Sequence, residues 1–568
     1  MKTILGALAA LTFLGCSVLL AETPKVWVVP SSLFRVGPTD PAGDCKTATI
    51  YGGRGEYVSF QVAIHAPAAG LTHVTFSVSS LTGPAREVIR NTSTNVILYR
   101  EEYITVKSHS PITNEDSGLP FTTDNGVAIV PITNADTFPD PLIPFIDPDT
   151  GKAPAADSKY LAAPVKVGAD KNVVFWVDVF IPRHTKAGSY KGTYTVTSNL
   201  KAVTGEVRLT VWNFTLPLHP SLKTLFNGGA GGQVPGVELE LLRNRITPDS
   251  QSLSSEATDI HQYGLNAYDL GYYENVSYGS CTGDSLKPAP PSLEALQKVV
   301  DAQPAGLYLV DYTADPESSC TNKAYYKSVI DFAQVLHKAV VPGQDGVDNV
   351  VSQQPVAQLF DDGLGTGRSA VDVWTMLPLN FDLAQQNKTD GLPNVNYVLQ
   401  KGDKVWSYNA EVQDGYSPKW ELDFLPINYR IQAGFLSQSL GLTGMNYYAV
   451  TNWVSPSTAW TNPQGGSGLN AYPGEGILVY PGAAAGLKGV APSMRLKYIR
   501  DGIQDYEYVQ QLKSSACNHE TFAEQSMVAL SASGRGEPNW HDWTMDAKTL
   551  ERVRIALGNK LSSLGCAP

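Results

Sequence analysis

Glu206-Val-Arg-Leu-Thr-Val-Trp-Asn-Phe-Thr-Leu-Pro-Leu-His-Pro220 is where the chain changes its pattern. Up to Trp212 apolar and polar residues alternate, the period of a half-buried strand. From Leu216 two prolines break that period. Short apolar runs separated by longer helical stretches follow.

Upstream, period-two runs recur at Lys25-Val-Trp-Val-Val29, Tyr57-Val-Ser-Phe-Gln-Val-Ala-Ile64, Val96-Ile-Leu-Tyr99, Asn172-Val-Val-Phe-Trp-Val-Asp-Val-Phe180 and Gly188-Ser-Tyr-Lys-Gly-Thr-Tyr-Thr-Val196. Gly, Pro, Asn and Asp separate them, so residues 22–218 read as a β-sandwich. The stretch 107–165, rich in Pro, Asp and Thr, reads as a long surface excursion.

Downstream, eight strands are expected around residues 224–227, 267–272, 306–311, 356–360, 376–379, 404–408, 444–450 and 476–480. Helical segments at 292–302, 322–341 and 425–440 alternate with them. Alternation of this kind implies parallel strands, and eight repeats fit a (β/α)₈ barrel over residues 219–490. No Gly-x-Gly-x-x-Gly loop supports a dinucleotide-binding sheet instead. Residues 491–568 read as amphipathic helices packed on the barrel. The expected fold is thus multidomain: β-sandwich, TIM-like barrel and C-terminal helical segment.

The chain has 568 residues, more than one core organises. Hydrophobic residues make up 43% and charged residues 17%, a globular composition. Charges of 42 Lys+Arg against 54 Asp+Glu leave −12, and no basic block offers a nucleic-acid footprint. Lys2 and the apolar run from Ile4 to Leu20 read as a signal peptide over residues 1–21, which predicts a secreted or periplasmic protein. Cys16 after Leu14-Gly15 is the alternative, a lipid anchor. No later apolar run is long enough to span a membrane. Cys45, Cys281, Cys320, Cys517 and Cys566 form no Cys-x-x-Cys pair, so no zinc site is expected. Local pairing would join Cys281 to Cys320 and Cys517 to Cys566 as disulfides.

In such barrels chemistry sits at the C-terminal ends of the strands. The expected fourth strand ends in Asp361-Asp362-Gly363. Two close carboxylates do not both ionise easily, and the one that keeps its proton is an acid suited to a glycosidic oxygen. Asp-Asp-Gly is equally ordinary turn chemistry. The sixth strand brings Trp406, Tyr408, Asn409 and Glu411. The seventh brings Asn446, Tyr447 and Tyr448, followed by Asn452 and Trp453. The second brings Tyr268, Asp269 and Tyr272. Rings stack on the C–H face of a pyranose, and amides and carboxylates bind its hydroxyls. Trp406 or Trp453 is expected as the platform, and Tyr408 or Tyr448 as the holder of an acetamide oxygen. No histidine lies between His337 and His519, so a Ser-His-Asp triad or a histidine metal site at the later strand ends is not expected. No metal and no cofactor are implied, and the partner is a glycan.

The segment Gly474-Glu-Gly-Ile-Leu-Val-Tyr-Pro-Gly482, followed by Pro492-Ser-Met-Arg-Leu-Lys-Tyr-Ile-Arg-Asp-Gly-Ile-Gln-Asp-Tyr-Glu507, resembles a domain of unknown function, number 4091. That domain accompanies glycoside hydrolase family 123, whose known members are β-N-acetylgalactosaminidases. Gly55-Glu-Tyr-Val-Ser-Phe-Gln61, Gly188-Ser-Tyr-Lys-Gly-Thr-Tyr194 and Trp212-Asn-Phe-Thr-Leu-Pro217 extend the resemblance over nearly the whole mature chain. It implies an exo-acting glycosidase with an adjacent Asp-Glu at the end of strand four. There the Asp orients the 2-acetamido group, the Glu is the general acid, and the acetamide oxygen is the nucleophile. Asp361 would be the orienting residue, and Asp362 stands where the Glu belongs. Its carboxyl is retracted by about 1.5 Å, one C–C bond, and a misplacement of about 1 Å costs on the order of 100-fold in rate. Three readings follow. Asp362 serves as the acid, or Glu411 or another strand-end carboxylate replaces it for a different sugar, or catalysis is lost and the protein binds glycan only. Arg495, Arg500, Asp501 and Asp505 are expected to anchor a helix rather than to catalyse.

Overall fold

The computed structural model describes residues 23–111, 130–228, 234–249, 258–271, 290–314, 323–376, 391–409, 418–464, 472–531 and 543–565. The N-terminal part is a sandwich of two mainly antiparallel sheets. One sheet runs Lys25–Val28, Glu56–His65, Asn172–Ile181, Val96–Thr105, Thr137–Pro144. The other runs Thr47–Arg54, Val203–Thr215, Gly188–Thr197, Leu71–Val78, Val165–Val167, with Leu81–Thr82 and Val88–Ile89 at its side. The alternation seen in the sequence becomes the core. Phe175, Val177, Val179 and Ile181 meet Phe76, Tyr190, Tyr194 and Leu209, and Phe76 stacks on Phe175 at 4.9 Å. Part of the expected excursion is itself a strand. Thr137–Pro144 pairs with Val96–Thr105 at the sheet edge, where its prolines cost no ladder bond.

The Asn172–Ile181 strand is buried on both faces because a helix covers its outer side. That helix, Met494–Lys513, starts at Ser493, whose Oγ accepts from the N–H of Leu496. It is buried nearly all round, charged residues included. Arg495 forms a two-pronged pair with Asp140 (3.0 and 2.9 Å). Arg500 does the same with Asp178 (2.7 and 3.1 Å) and also meets Asp501. Asp505 accepts from Arg430 and Arg554. The four residues picked out in the sequence thus hold the helix to the sandwich on one side and the barrel on the other. Burial by itself would raise the pKa of Asp178, but the charges of Arg500 and Lys497 and hydrogen bonds from Arg500 and Ser59 hold it well below the ordinary carboxylate value.

Seven parallel strands form the barrel wall in the order Lys223–Phe226, Gly444–Tyr447, Lys404–Asn409, Val373–Met376, Asp348–Val351, Tyr308–Ala314, Ala267–Asp269. Residues 246–249 fill the gap between the first and last of these. Pro248 bridges Phe226 in parallel, and Thr247 Oγ1 bonds Asn266 Oδ1 at 3.1 Å. Counted along the chain, 246–249 is strand two, Tyr308–Ala314 strand four, Asp348–Val351 strand five and Gly444–Tyr447 strand eight.

Two expected strands are corrected. Residues 356–360 lie in the crossover from strand five to strand six, which carries only the 3₁₀ turn Ala357–Leu359. Val479–Pro481 pairs with Val490–Pro492 in a separate hairpin. Cys45 is a free, exposed thiol and Cys517 is disulfide-bonded. Cys281, Cys320 and Cys566 lie outside the described residues. Among the described residues no helix is long and apolar enough to cross a membrane.

Replacing Arg500 by Met strands Asp178 in the core. Loss of one partner of a buried pair costs about 3–5 kcal/mol, so the melting temperature is expected to fall sharply. Adding Asp178→Leu to the same chain is expected to restore much of the loss. An Arg500→Met melting curve like that of the wild type would contradict the anchoring role.

Candidate active site

The barrel interior is identified by one apolar cluster. Leu225, Val310, Val350, Val373 and Trp406 come from five strands and pack together, with Tyr308 and Tyr312 against them. Side chains alternate along a strand, so residues two further on face the same way, toward the C-terminal mouth. These are Asn227, Tyr312, Ser352, Thr375 and Tyr408. Asn446 shares the inward face, since it pairs with both Leu225 and Tyr408. Asp269 does so through its pairing with Val310.

This ring is polar, and most of it is half-buried. Asn227 Nδ2 donates to Asp249 Oδ2 at 2.5 Å. Asp269 Oδ1 accepts the backbone N–H groups of Gly271 and Tyr312, both at 3.1 Å. Tyr312 Oη and Ser352 Oγ share a short hydrogen bond. Two carboxylates, two phenols and two amides therefore open toward solvent at one end of the barrel. That donor and acceptor set suits a polyhydroxylated ligand. Among the described residues no group of His, Cys, Asp and Glu is arranged to hold a metal ion.

The Asp361-Asp362 pair lies at the other end. Asp362 is fully buried. Its Oδ2 meets His337 Nδ1 at 2.8 Å, and its Oδ1 accepts from the N–H of Leu364. His337 Nε2 contacts Asp372 at 2.9 Å, just before strand six begins. Arg368 ties Asp372 to Asp348, the first residue of strand five. Asp348 in turn accepts from Lys404 and Tyr308, the first residues of strands seven and four. All of these mark the N-terminal base of the barrel, away from the mouth. Asp361 is exposed and accepts the N–H of Gly363 at 2.7 Å, the turn chemistry that Asp-Asp-Gly also allowed. Neither residue faces a substrate at the mouth, which corrects the catalytic assignment.

The other expected residues divide. Asp269 and Tyr408 are in the ring. Tyr448 follows strand eight and is 48% exposed, so its phenol is open to a ligand beside the mouth. Trp453 is half-buried, with its indole N–H on the carbonyl of Val479. Trp406 is fully buried inside the barrel and offers no ring face to a sugar. Its indole lies where a side chain on Gly444 would collide with it, at 2.3 Å. Tyr268 faces outward into the apolar layer of Leu242, Leu265, Leu296 and Leu309, so it is a packing residue. Glu411 and Tyr272 lie outside the described residues.

Asn227, Asp249, Tyr312 and Ser352 were missed. Residues 246–249 and 348–351 are too short and too polar to signal strands, yet each delivers a ring residue.

At the base, burial opposes the charged form of His337, but Asp372 and Asp362 outweigh it and raise its pKa above the ordinary 6.5. Asp372 is lowered from 3.8, because His337 and Arg368 outweigh its burial. The His337 contribution to stability is complete below pH 6.5 and is lost as pH rises through the raised value. The Asp372 contribution is present above pH 3.8 and is lost as pH falls through the lowered one. Asp362→Ala is therefore expected to lower the melting temperature and to weaken its fall above pH 6.5. Any activity per folded molecule should stay unchanged. Loss of activity at full stability would return the pair to the catalytic site.

No protein-family model matches the sequence, and no curated protein is similar to it. Solved structures are. A family 123 glycoside hydrolase from Clostridium perfringens, studied for glycolipid glycan hydrolysis, superposes on 95% of this chain and 97% of its own, with a TM-score of 0.59 at 14% identity. The CooA pilin subunit of enterotoxigenic Escherichia coli covers 33% of this chain and 97% of its own at 12% identity. Its TM-score is 0.15, too low to carry an argument. The chain thus has, from sandwich to C-terminal helices, the fold of a family 123 glycoside hydrolase.

Proposed function

We propose that the protein is an exported glycoside hydrolase that removes terminal sugars, of the N-acetylhexosamine type, by substrate-assisted acid catalysis. The observation that carries this reading is the polar ring at the barrel mouth, built on a fold shared along the whole chain with a family 123 enzyme. Tyr408 and Asn446, side by side on neighbouring strands, suit the acetamide and ring hydroxyls. Asp269, held by two backbone N–H groups, is the carboxylate that orients the substrate and stabilises developing positive charge. In this route the acetamide oxygen attacks the anomeric carbon. The C–O bond to the leaving group breaks as a carboxylic acid protonates that oxygen, and water then opens the cyclic intermediate.

The resemblance implies an acid at the end of strand four, which ends in Asp311-Tyr312-Thr313-Ala314. Asp311 is buried and faces away from the interior, in register with Asn349. Asp315 and Glu317 follow the strand by one and three residues, outside the described residues. They join Glu411 as the carboxylates to test for the proton donor.

Aryl N-acetyl-β-galactosaminide, heading a panel of aryl glycosides, is expected to be cleaved by wild type. Asp269→Asn is expected to lower kcat/KM by at least about 100-fold, the scale of a lost transition-state contact. One of Glu317→Gln, Asp315→Asn and Glu411→Gln is expected to abolish the alkaline limb of the pH profile, where the acid loses its proton, while Asp361→Asn leaves activity intact. Silence across the panel with sugar binding retained in calorimetry would favour a binding protein that has lost catalysis.

A further inference from the structure

On the sandwich, a cleft of about 400 Å³ that shares no residue with the barrel mouth is lined by Arg54, Arg183, His184, Lys186 and Asn213. In a chain of net charge −12 this is a local concentration of cations. Among the described residues most of these cations have no carboxylate partner. Arg54 spends two donors on neutral oxygens, Nε on Thr215 Oγ1 at 2.8 Å and Nη1 on Asn213 Oδ1 at 3.2 Å. Arg183 and His184 make no ion pair among the described residues, and partial burial lowers the pKa of Arg183 with no carboxylate opposing it. Among the described residues Lys186 has one ion-pair contact, with Glu87 at 3.9 Å. The backbone makes room for the cluster. Gly55 turns the chain at φ +76°, and a side chain there would meet Arg183 Nη1 at 2.7 Å.

We propose that this cleft binds an oxyanion group, a carboxylate, sulfate or phosphate ester. Arg54 and Arg183 supply guanidinium donors, Lys186 supplies charge, and Asn213 supplies an amide whose oxygen is already occupied by Arg54. Guanidinium forks match planar and tetrahedral oxyanions. The cleft is open to solvent, so an anion carried on a larger molecule can reach it as well as a bare ion. The site is separate from the barrel's chemistry and stands whether or not the barrel is a glycosidase.

Isothermal titration of the full chain with sodium sulfate, and separately with a sulfated heparin-derived tetrasaccharide, tests this at low salt. Both probes are expected to bind, more weakly as salt is added. Affinity should fall at least tenfold in Arg54→Gln/Arg183→Gln and in Arg183→Ala alone, a change on an exposed turn that should leave the melting temperature alone. Lys166→Gln, which removes an exposed cation elsewhere on the sandwich, should bind as wild type does. A tetrasaccharide much tighter than sulfate identifies an anion carried on a sugar, and equal affinities identify the bare ion. Absence of binding by either probe overturns the proposal. So does binding that the Arg183 variants leave unchanged.

Discussion

Two arginine–aspartate pairs, Arg495–Asp140 and Arg500–Asp178, hold the rest of the molecule in place. Each joins the Met494–Lys513 helix to a strand of the sandwich, and each is almost completely buried. Taking such charges out of water costs several kcal/mol per ion, which their attraction offsets only when the geometry is good and the remaining donors are used. Here they are used. Arg495 also donates to the carbonyls of Gly474 and Ile477, and Arg500 also meets Ser59 and Asp501. The net contribution to stability is small, but every alternative placement of the helix leaves a charge stranded. The pairs therefore specify one docking of sandwich against helix. Tyr506 and Glu507 carry that docking into the barrel through Leu442 and Ser221.

The barrel spends its polar residues differently at its two ends. At the base, Asp348, Asp362, Asp372, His337, Arg368 and Lys404 satisfy one another and close the structure. At the mouth, Asn227, Asp249, Asp269, Tyr312, Tyr408 and Asn446 are half-buried and turned toward solvent. Between them lies the apolar layer around Trp406. The same residue types thus serve rigidity at one end and, in the proposed function, ligand chemistry at the other, and only the strand direction tells them apart.

That dependence decides how far the sequence could be read. The sandwich was legible because its strands keep a strict alternation, as in Gly188–Thr197, where Tyr190, Tyr194 and Val196 point inward. The charged helix was legible because its run Arg500-Asp-Gly-Ile-Gln-Asp-Tyr-Glu507 resembles the family pattern, which implied that Arg495, Arg500, Asp501 and Asp505 anchor a helix. The barrel was legible as a class and not in register. Val356-Ala-Gln-Leu-Phe360 is apolar enough to pass for a strand but is a crossover, while Asp348-Asn-Val-Val351 is a strand with polar ends that its neighbours satisfy. One false strand and one missed strand exchange the ends of the barrel, and the proposed acid moved from mouth to base. Trp406 shows the same limit on a smaller scale, since an aromatic ring that fills a barrel interior has the same sequence signal as one that faces a sugar.

A crystal structure of the protein soaked with N-acetylgalactosamine-thiazoline, the cyclised analogue of an acetamide-assisted intermediate, tests the central claim most directly. The analogue is expected at the C-terminal mouth, with Asp269 and Tyr408 within hydrogen-bonding distance of its ring. Density for it beside Asp361 and Asp362, or a mouth that stays empty at saturating analogue, would rule out a sugar site at the mouth.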